Sequence, residues 1–466
     1  MDVSAFTDSY LPNVNGAAYT VNLWKEKWNT DGYGRMTVTY PGHGNHEPDE
    51  YEYPVRSVPF PFYEGMNLGL PVPGFISGVL RVIYTDEELS RKKKRILQDS
   101  YLGYLRAVYR GKERAKKLNF GEGSVGNGSN SKDVEKEFKD IGTSSGDLSV
   151  SDEIDDGDFK GPSFRLSPRV TDADVVHVHT PYFTGLAGVK VARKKNIPLV
   201  INYHTPTNEY VEYVTEHEGL QNRMKRMNSW WEREYLSKGD AVVTPSERTA
   251  EMVVGKGIDP DKVKVIKNGV DISFFRPRNP EELMTGWGVE PPVVGYCGRH
   301  GYEKNLDLII ELAAELDLSD SREFSFVLVG DGPAREDLIE SSEEAGIRDR
   351  FVFPGFLPRK DLPKFYSCLD AFVFPSEVET EGLVGLEATS CGTPVVAADA
   401  EALQETVKEG VNGMRFSPGN VEEFAETTVE VCSDADWFGE RCLGMRNDLD
   451  IERTLEELDR LYENLT

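Results

Sequence analysis

Short runs rich in β-branched and aromatic residues recur along this chain, each ending in a polar or glycine-rich turn. They read "VSAFTD", "ADVVHVHT", "PLVINYHT", "AVVTPS", "VKVIKNGV", "PPVVGYCGR", "FSFVLVGDGP", "FVFPGF", "AFVFPS" and "TPVVAAD". Between many of them lie longer segments with helical spacing, such as "NLDLIIELAAEL" over 305–316. Mostly apolar strands alternating with helices predict an α/β architecture of parallel sheets covered on both faces. In such sheets ligands bind beyond the carboxyl ends of the strands. The polar residues that end the runs are therefore the candidates for function.

With 466 residues the chain exceeds one core, so two domains are expected. The first runs over 1–255 and the second over 256–440. The last segment, 441–466, ends in a helix with Ile451, Leu455, Leu458, Tyr462 and Leu465 on one face, and is expected to pack back on the first domain. Two stretches break the alternation. Over 91–117 there are eleven basic residues against two acidic, interleaved with Leu97, Tyr101, Tyr104, Leu105 and Tyr109. Such a helix either lies on an anionic membrane surface or packs its tyrosines on the first domain. Over 121–163 the chain is rich in Gly, Ser and Asp, which predicts a disordered surface insertion.

Acidic residues number 80 against 53 basic, a net charge of -27. That balance argues against a nucleic-acid partner, whose phosphates would be repelled. It suits a halophilic protein, whose dense acidic surface stays hydrated in high salt; the alternative is an ordinary acidic enzyme with an acidic insertion. The five cysteines (Cys297, Cys368, Cys391, Cys432 and Cys442) form no CxxC pair. Scattered, odd-numbered thiols suggest a reduced, cytoplasmic protein with neither disulfide framework nor zinc site. The first strand begins almost at once, leaving no room for a signal peptide, and no apolar run approaches the length of a transmembrane helix. Membrane contact is therefore expected to be peripheral.

The stretch "PSEVETEGLVGLEATSCGTPVV" over 375–396 carries the densest chemistry. After the strand "AFVFPS" comes the loop "EVETEG", then a helix from near Gly382 that Gly392 stops. Free N–H groups at such a helix start favour a diphosphate, and Gly382 would let it approach. Glu379 precedes the helix and Glu387 lies inside it. Each carboxylate can accept hydrogen bonds from sugar hydroxyls, although a solvated helix face can carry two glutamates by accident. "GRHGYEKN" over 298–305 follows another strand. Its Arg299 and Lys304 can reach an anion between the two loops, unless they are a surface salt-bridge pair. "VGDGP" at 329–333 is a tight turn, and no GxGxxG dinucleotide fingerprint occurs there. His177 and His179 share one face of a strand, but no third ligand motif supports a metal site. Asp172 and Asp174 sit at a helix-to-strand junction, where a metal-binding D-x-D is not expected, and His300 reads as a loop residue.

"GRHGYEKN", "VGDGP", "FPGF", "FPSEVETEGLVGLEATSCGTPVV" and "NGMRFSPGN" resemble the second domain of glycosyltransferase family 4. The spacing Glu379-x7-Glu387 matches that family's paired glutamates. "FTDSYLPNVNGAAYT" resembles its opening glycine loop, and "ADVVHVHTPYFTG" and "NYHTPTNEYVEY" its later strand ends. The resemblance spans most of the chain outside roughly 85–165. Departures are "KNGVD" without the usual Pro before Asn268, and Thr389-Ser390 where Met and a small residue are usual.

The resemblance implies the GT-B fold, two Rossmann-like doubly wound domains facing across a cleft. It implies transfer of a sugar from a nucleotide donor with retention, without a metal or other cofactor. Arg299 and Lys304 would neutralise the donor diphosphate, Glu387 would hold the ribose and Glu379 the donor sugar. His204 would stand near the reacting carbon. Gly16 would face the donor phosphates, and Gly382 and Leu383 count with the donor-binding residues. "YPVRSVPFPFYEGMNLGLPVP" and "NYHTPTNEYVEYVTEH" resemble the lipid transferases of the family, which implies a UDP-sugar such as UDP-glucose as donor and a membrane lipid as acceptor. The rivals are a transferase with a soluble sugar or metabolite acceptor, a nucleotide-sugar epimerase and a non-catalytic binding protein.

Overall fold

The computed structural model describes residues 1–12, 15–42, 46–55, 57–59, 67–69, 166–204, 218–319 and 322–466. The basic segment 91–117 and the insertion 121–163 lie outside the described residues.

The expected alternation builds two parallel sheets. The first contains β1 (Asp2–Phe6), β2 (Arg35–Pro41), β3 (Glu52–Val55), β6 (Val175–Val178), β7 (Leu199–Asn202), β8 (Ala241–Thr244) and β9 (Val263–Val265). Its order is β3-β2-β1-β6-β7-β8-β9, with every pair parallel. β4 (Ser57–Pro59) and β5 (Asn67–Gly69) pair as a separate ribbon. The second sheet contains β10 (Val293–Cys297), β11 (Ser325–Val329), β12 (Phe351–Gly355), β13 (Ala371–Phe374), β14 (Val395–Ala398) and β15 (Gly413–Phe416), in the order β12-β11-β10-β13-β14-β15. All its pairs are parallel too. Central strands such as β6, β7, β8 and β13 are buried at every position, which is why they read as continuous apolar runs.

The chain stays in the first sheet beyond the expected boundary at 255. After α4 (Glu247–Gly255) it makes one more parallel strand, β9, before it crosses to the second half. The crossing runs through Asn268, Gly269 and Val270, and the chain returns at Leu449–Ile451, where Val270 N–H donates to the Leu449 carbonyl at 2.8 Å and Ile451 N–H to the Val270 carbonyl at 3.0 Å. Gly269 has φ +72°, and a Cβ there would lie 2.7 Å from Ile451 Cα, so only glycine fits between the two strands of the crossing. α6 (Ile451–Leu465) then buries Ile451, Leu455, Leu458 and Tyr462 in one core with Val3, Trp24, Trp28 and Val175.

In each sheet the strand order reverses once, between β1 and β6 in the first and between β10 and β13 in the second. A crevice opens beyond the carboxyl ends of the strands at such a switch point. The loops after β10 and β13 are those that carry Arg299, Lys304 and Glu379.

Candidate active site

The loop after β10 is held by its neighbour after β11. His300 is fully buried, its N–H donates to the Asp331 carbonyl at 2.9 Å, and its own carbonyl accepts from Ala334 N–H at 2.9 Å. A Cβ on Gly332 (φ +156°) would come within 2.5 Å of the His300 carbonyl oxygen, so "GDGP" is glycine-rich because two backbones touch there. Burial lowers the His300 pKa to about 4, with Asp331 opposing, and the ring is neutral at pH 7. His300 is thus a packing residue of this loop.

This anchoring presents two largely buried cations. Arg299 Nη2 donates to Glu303 Oε1 at 3.0 Å, and Lys304 Nζ to Glu379 Oε1 at 2.7 Å. Asn305, next in the chain, adopts φ +50° and donates from Nδ2 to Glu377 Oε1 at 3.3 Å. The loops after β10 and β13 are therefore zipped together across the switch point. Each cation already faces a carboxylate, so an arriving anion would exchange for one and need not meet a bare charge.

Glu387 lies on α5 (Leu383–Ser390). Gly382 caps that helix at φ +81°, where a Cβ would meet Leu403 Cδ2 at 2.8 Å and Phe374 Cε1 at 3.1 Å. Its glycine is required by this left-handed turn and by packing against the protein. That is a different reason from the ligand clearance expected from sequence. Leu383 follows as the first helical residue, partly buried against the core. Glu387 is only 6% exposed. Tyr366 OH donates to its Oε2 at 2.7 Å, and Arg359 Nη1 stands 3.9 Å from Oε1. Burial raises the Glu387 pKa, while Arg359 and the Tyr366 hydroxyl act against that and favour the carboxylate.

Arg359 also reaches the first half of the molecule. Its guanidinium lies 4.5 Å from the centre of the Tyr19 ring, 5.1 Å from Phe275 and 5.5 Å from Phe274. Tyr19 is in the first turn of α1 (Gly16–Thr30), whose N-cap Asn15 accepts from Ala18 N–H. Gly16 opens that helix, and a Cβ there would meet nothing within 4 Å. The start of α1 and Glu387 thus meet through one arginine.

His204 follows β7, and its ring is turned inward. Nε2 is 3.0 Å from His179 Nδ1 and 3.1 Å from Asn202 Nδ2. His179 stacks on His177 with ring centres 4.3 Å apart, and His177 Nδ1 is 2.7 Å from Tyr462 OH on α6. Burial lowers His204 to about 4 and His177 to about 3, so the stack is neutral at pH 7. The two histidines of "HVH" belong to this packed column. The His204 carbonyl accepts from Thr380 Oγ1 at 2.6 Å, and the Thr380 carbonyl accepts from Ser246 Oγ at 2.8 Å and Thr249 Oγ1 at 3.1 Å. The residue after Glu379 therefore ties the two sheets' loops together beside His204.

Four side chains here escaped the sequence reading: Glu303, Arg359, Tyr366 and Glu381. Glu381 had the clearest signal, the third carboxylate in "EVETEG". It is 5% exposed and accepts from Asn268 N–H at 3.0 Å and Asn268 Nδ2 at 2.6 Å, pinning the chain crossing. Burial pushes its carboxyl up to about 7, against those two hydrogen bonds. The stability tied to the protonated form is fully present below the unfolded value near 4.5 and is lost as pH rises through 7. Glu381→Gln keeps the shape without the charge, and its amide can donate to Asn268 Oδ1, which has no partner among the described residues. The variant is expected to be more stable than the parent at pH 8 by on the order of 3 kcal/mol, and to lose that advantage near pH 4, as measured by urea unfolding.

Among the described residues no helix is long and apolar enough to cross a membrane. Loops at the carboxyl ends of two doubly wound parallel sheets meet here, which is the GT-B architecture. Residues 280–445 match the family model described as glycosyl transferases group 1, and residues 159–274 match that of Glycosyltransferase Family 4. The 2-deoxystreptamine glucosyltransferase of Streptomyces kanamyceticus is 31% identical over 270 residues, covering 56% of this chain and 69% of that protein. The chain belongs to glycosyltransferase family 4. The alpha-monoglucosyldiacylglycerol synthase of Streptococcus pneumoniae is 29% identical over 250 residues, 52% of this chain and 56% of that protein. The sulfoquinovosyl transferase of Arabidopsis thaliana is 32% identical over 276 residues, 56% of this chain and 51% of that protein. The chain thus spans little more than half the length of these last two relatives. Anabaena HepE in complex with UDP shares the fold at a TM-score of 0.63 and 17% identity, covering 100% of both chains. Sucrose-phosphate synthase from Thermosynechococcus elongatus does so at 0.64 and 17%, covering 100% of this chain and 99% of that one.

Proposed function

We propose that this chain is a retaining, metal-independent hexosyltransferase that moves a sugar from a nucleotide-sugar, UDP-glucose or a related UDP-sugar, to a hydroxyl of a membrane lipid. The observation that carries this reading is the pair of exchangeable ion pairs, Arg299–Glu303 and Lys304–Glu379, at the second sheet's switch point next to a fixed Glu387. In this reading the donor diphosphate takes Arg299 and Lys304 as partners. Glu379, released from Lys304, turns to the hydroxyls of the donor sugar. Glu387 accepts from the ribose hydroxyls while Tyr366 and Arg359 hold its carboxylate. Gly16, Gly382 and Leu383 bring the free N–H groups of two helix starts toward the phosphates. His204, neutral at pH 7, stands near the reacting carbon. The acceptor oxygen bonds to that carbon on the face from which the nucleoside diphosphate departs. Its proton passes to a diphosphate oxygen, and the leaving charge is met by Arg299 and Lys304.

Support for a UDP-sugar comes from Anabaena HepE, whose structures hold UDP and UDP-glucose. Support for a lipid acceptor comes from the diacylglycerol and sulfoquinovosyl relatives. A second reading, a soluble acceptor, is favoured by the 2-deoxystreptamine enzymes at 31% and 33% identity. Mass spectrometry of a membrane-lipid extract incubated with the protein and UDP-, GDP- or ADP-sugars decides between them. A hexose-shifted lipid is expected. Nucleotide release that requires an added soluble acceptor, with no lipid product, would overturn the lipid reading.

Arg359 supplies a further test. Arg359→Ala is expected to weaken donor binding about tenfold, and Arg359→Lys to recover only part of it, because an ammonium keeps the charge but cannot stack on three rings. Donor titration of the two variants measures this.

A further inference from the structure

The outward face of α3 (Glu218–Leu236) carries a stripe that the site above does not use. Asn222, Arg226, Trp230 and Arg233 are exposed, and Ser237 continues the line just past the helix end. Steps of three and four residues put them in one row along the helix. Trp230 is 51% exposed, with Arg226 one turn before it and Arg233 one turn after. Among the described side chains, the carboxylate at the same spacing is Glu234, four residues past Trp230 and half-buried. Of the nearby acidic residues, Glu232 is buried on Lys256 at 2.7 Å, and Glu234 lies beside Lys238.

The neighbouring helix extends the same charge. α2 (Phe183–Lys195) has no acidic residue and exposes Arg193, Lys194 and Lys195 at its end, Lys195 facing Asp172 at 3.1 Å. α3 is tied to the segment that leads into α2: Trp231 Nε1 donates to the Pro181 carbonyl at 3.3 Å and Tyr235 OH to the Thr180 carbonyl at 2.8 Å. Burial and the nearby Arg193 guanidinium both disfavour the charge on Lys238. In a chain of net charge -27 this surface has the opposite sign to the average.

We propose that this face docks on an anionic lipid bilayer, with Trp230 entering the headgroup layer and Arg226, Arg233, Arg193 and Lys194 meeting lipid phosphates. An exposed indole on a convex helix has no shaped pocket of its own. The interface of a bilayer accepts its apolar body and its N–H without one. Arginines one turn away on either side reach phosphate oxygens in paired geometry while their stems lie along the same apolar layer. The inference deepens the lipid-acceptor reading and takes its purpose from it.

The test is sedimentation of the full chain with vesicles of equimolar phosphatidylcholine and phosphatidylglycerol, against phosphatidylcholine alone. The protein is expected to bind only the anionic vesicles. Arg226→Glu/Arg233→Glu is expected to lower the partition coefficient about tenfold or more, and Trp230→Ala to lower it severalfold. Arg453→Glu/Arg460→Glu makes the same change of charge on the exposed face of α6, and should leave binding intact. Equal loss in both double variants would overturn the proposal, as would binding that survives the α3 changes but falls on charge reversal within 91–117. Transfer to lipid in detergent micelles separates docking from chemistry. Lipid product in micelles without vesicle binding would overturn the docking and leave the function; vesicle binding without lipid product would uphold the docking and overturn the lipid acceptor.

Discussion

Lys304→Ala is expected to lower kcat/KM for the nucleotide-sugar about a thousandfold, most of it in kcat. The amine sits 2.7 Å from Glu379, and both side chains are about four-fifths buried, at 19% and 17% exposure. A diphosphate leaving in that setting develops charge where little water can answer it, so a preorganised cation is worth more than on an open surface. The same deletion leaves Glu379 facing the departing phosphate without its counter-ion, adding repulsion where attraction was lost. Stability is expected to change by only about 1 kcal/mol, because the pair reaches solvent. Steady-state kinetics at saturating acceptor, paired with thermal unfolding, separates the two effects. A kcat within threefold of the parent would remove Lys304 from the chemistry.

Glu387→Ala is expected to act on the other end of the donor. Two charge-assisted hydrogen bonds to vicinal hydroxyls are lost, and donor affinity falls about a hundredfold, while kcat at saturation falls less than about tenfold. Folding is not expected to suffer in proportion. A carboxylate that burial drives toward neutrality contributes little net stability, and Arg359 keeps its three aromatic partners after the change. Glu379→Ala should show the converse, a loss in turnover larger than the loss in affinity, because its partner in the absence of donor is Lys304 and its proposed partner in the complex is the reacting sugar. The contrast between the two glutamates is what distinguishes a site that grips a ligand at both ends from a helix face that happens to carry two acids.

Much of this site could be read from the chain before folding, and the reason is geometric. Arg299, Lys304 and Glu379 lie in loops that follow strand ends, Glu387 lies in the helix after one of those loops, and parallel topology brings such ends to one edge. Periodicity likewise placed the apolar stripe of Ile451, Leu455, Leu458 and Tyr462, which is buried in the core of the first sheet. What stayed hidden depends on which non-adjacent loops touch. Glu303 four residues from Arg299, and Arg359 in a loop of charged residues, look like ordinary surface groups until packing sets one on its neighbour and the other between Tyr19 and Glu387. β9 was read as the start of the second half because its run, "VKVIKNGV", leads directly into the crossing; pairing with β8 assigns it to the first sheet. The reason for glycine at 382 also could not be read, since a left-handed turn packed on Leu403 and a turn opened for a ligand demand the same residue.

Calorimetric titration of UDP, GDP and ADP into the intact protein and into Glu387→Ala tests the central claim most directly. The account predicts that one nucleoside diphosphate binds the parent at micromolar Kd, roughly −8 kcal/mol, and that Glu387→Ala weakens that one about a hundredfold without unfolding. Binding of none of the three by the folded parent, or equal binding by the variant, would contradict it.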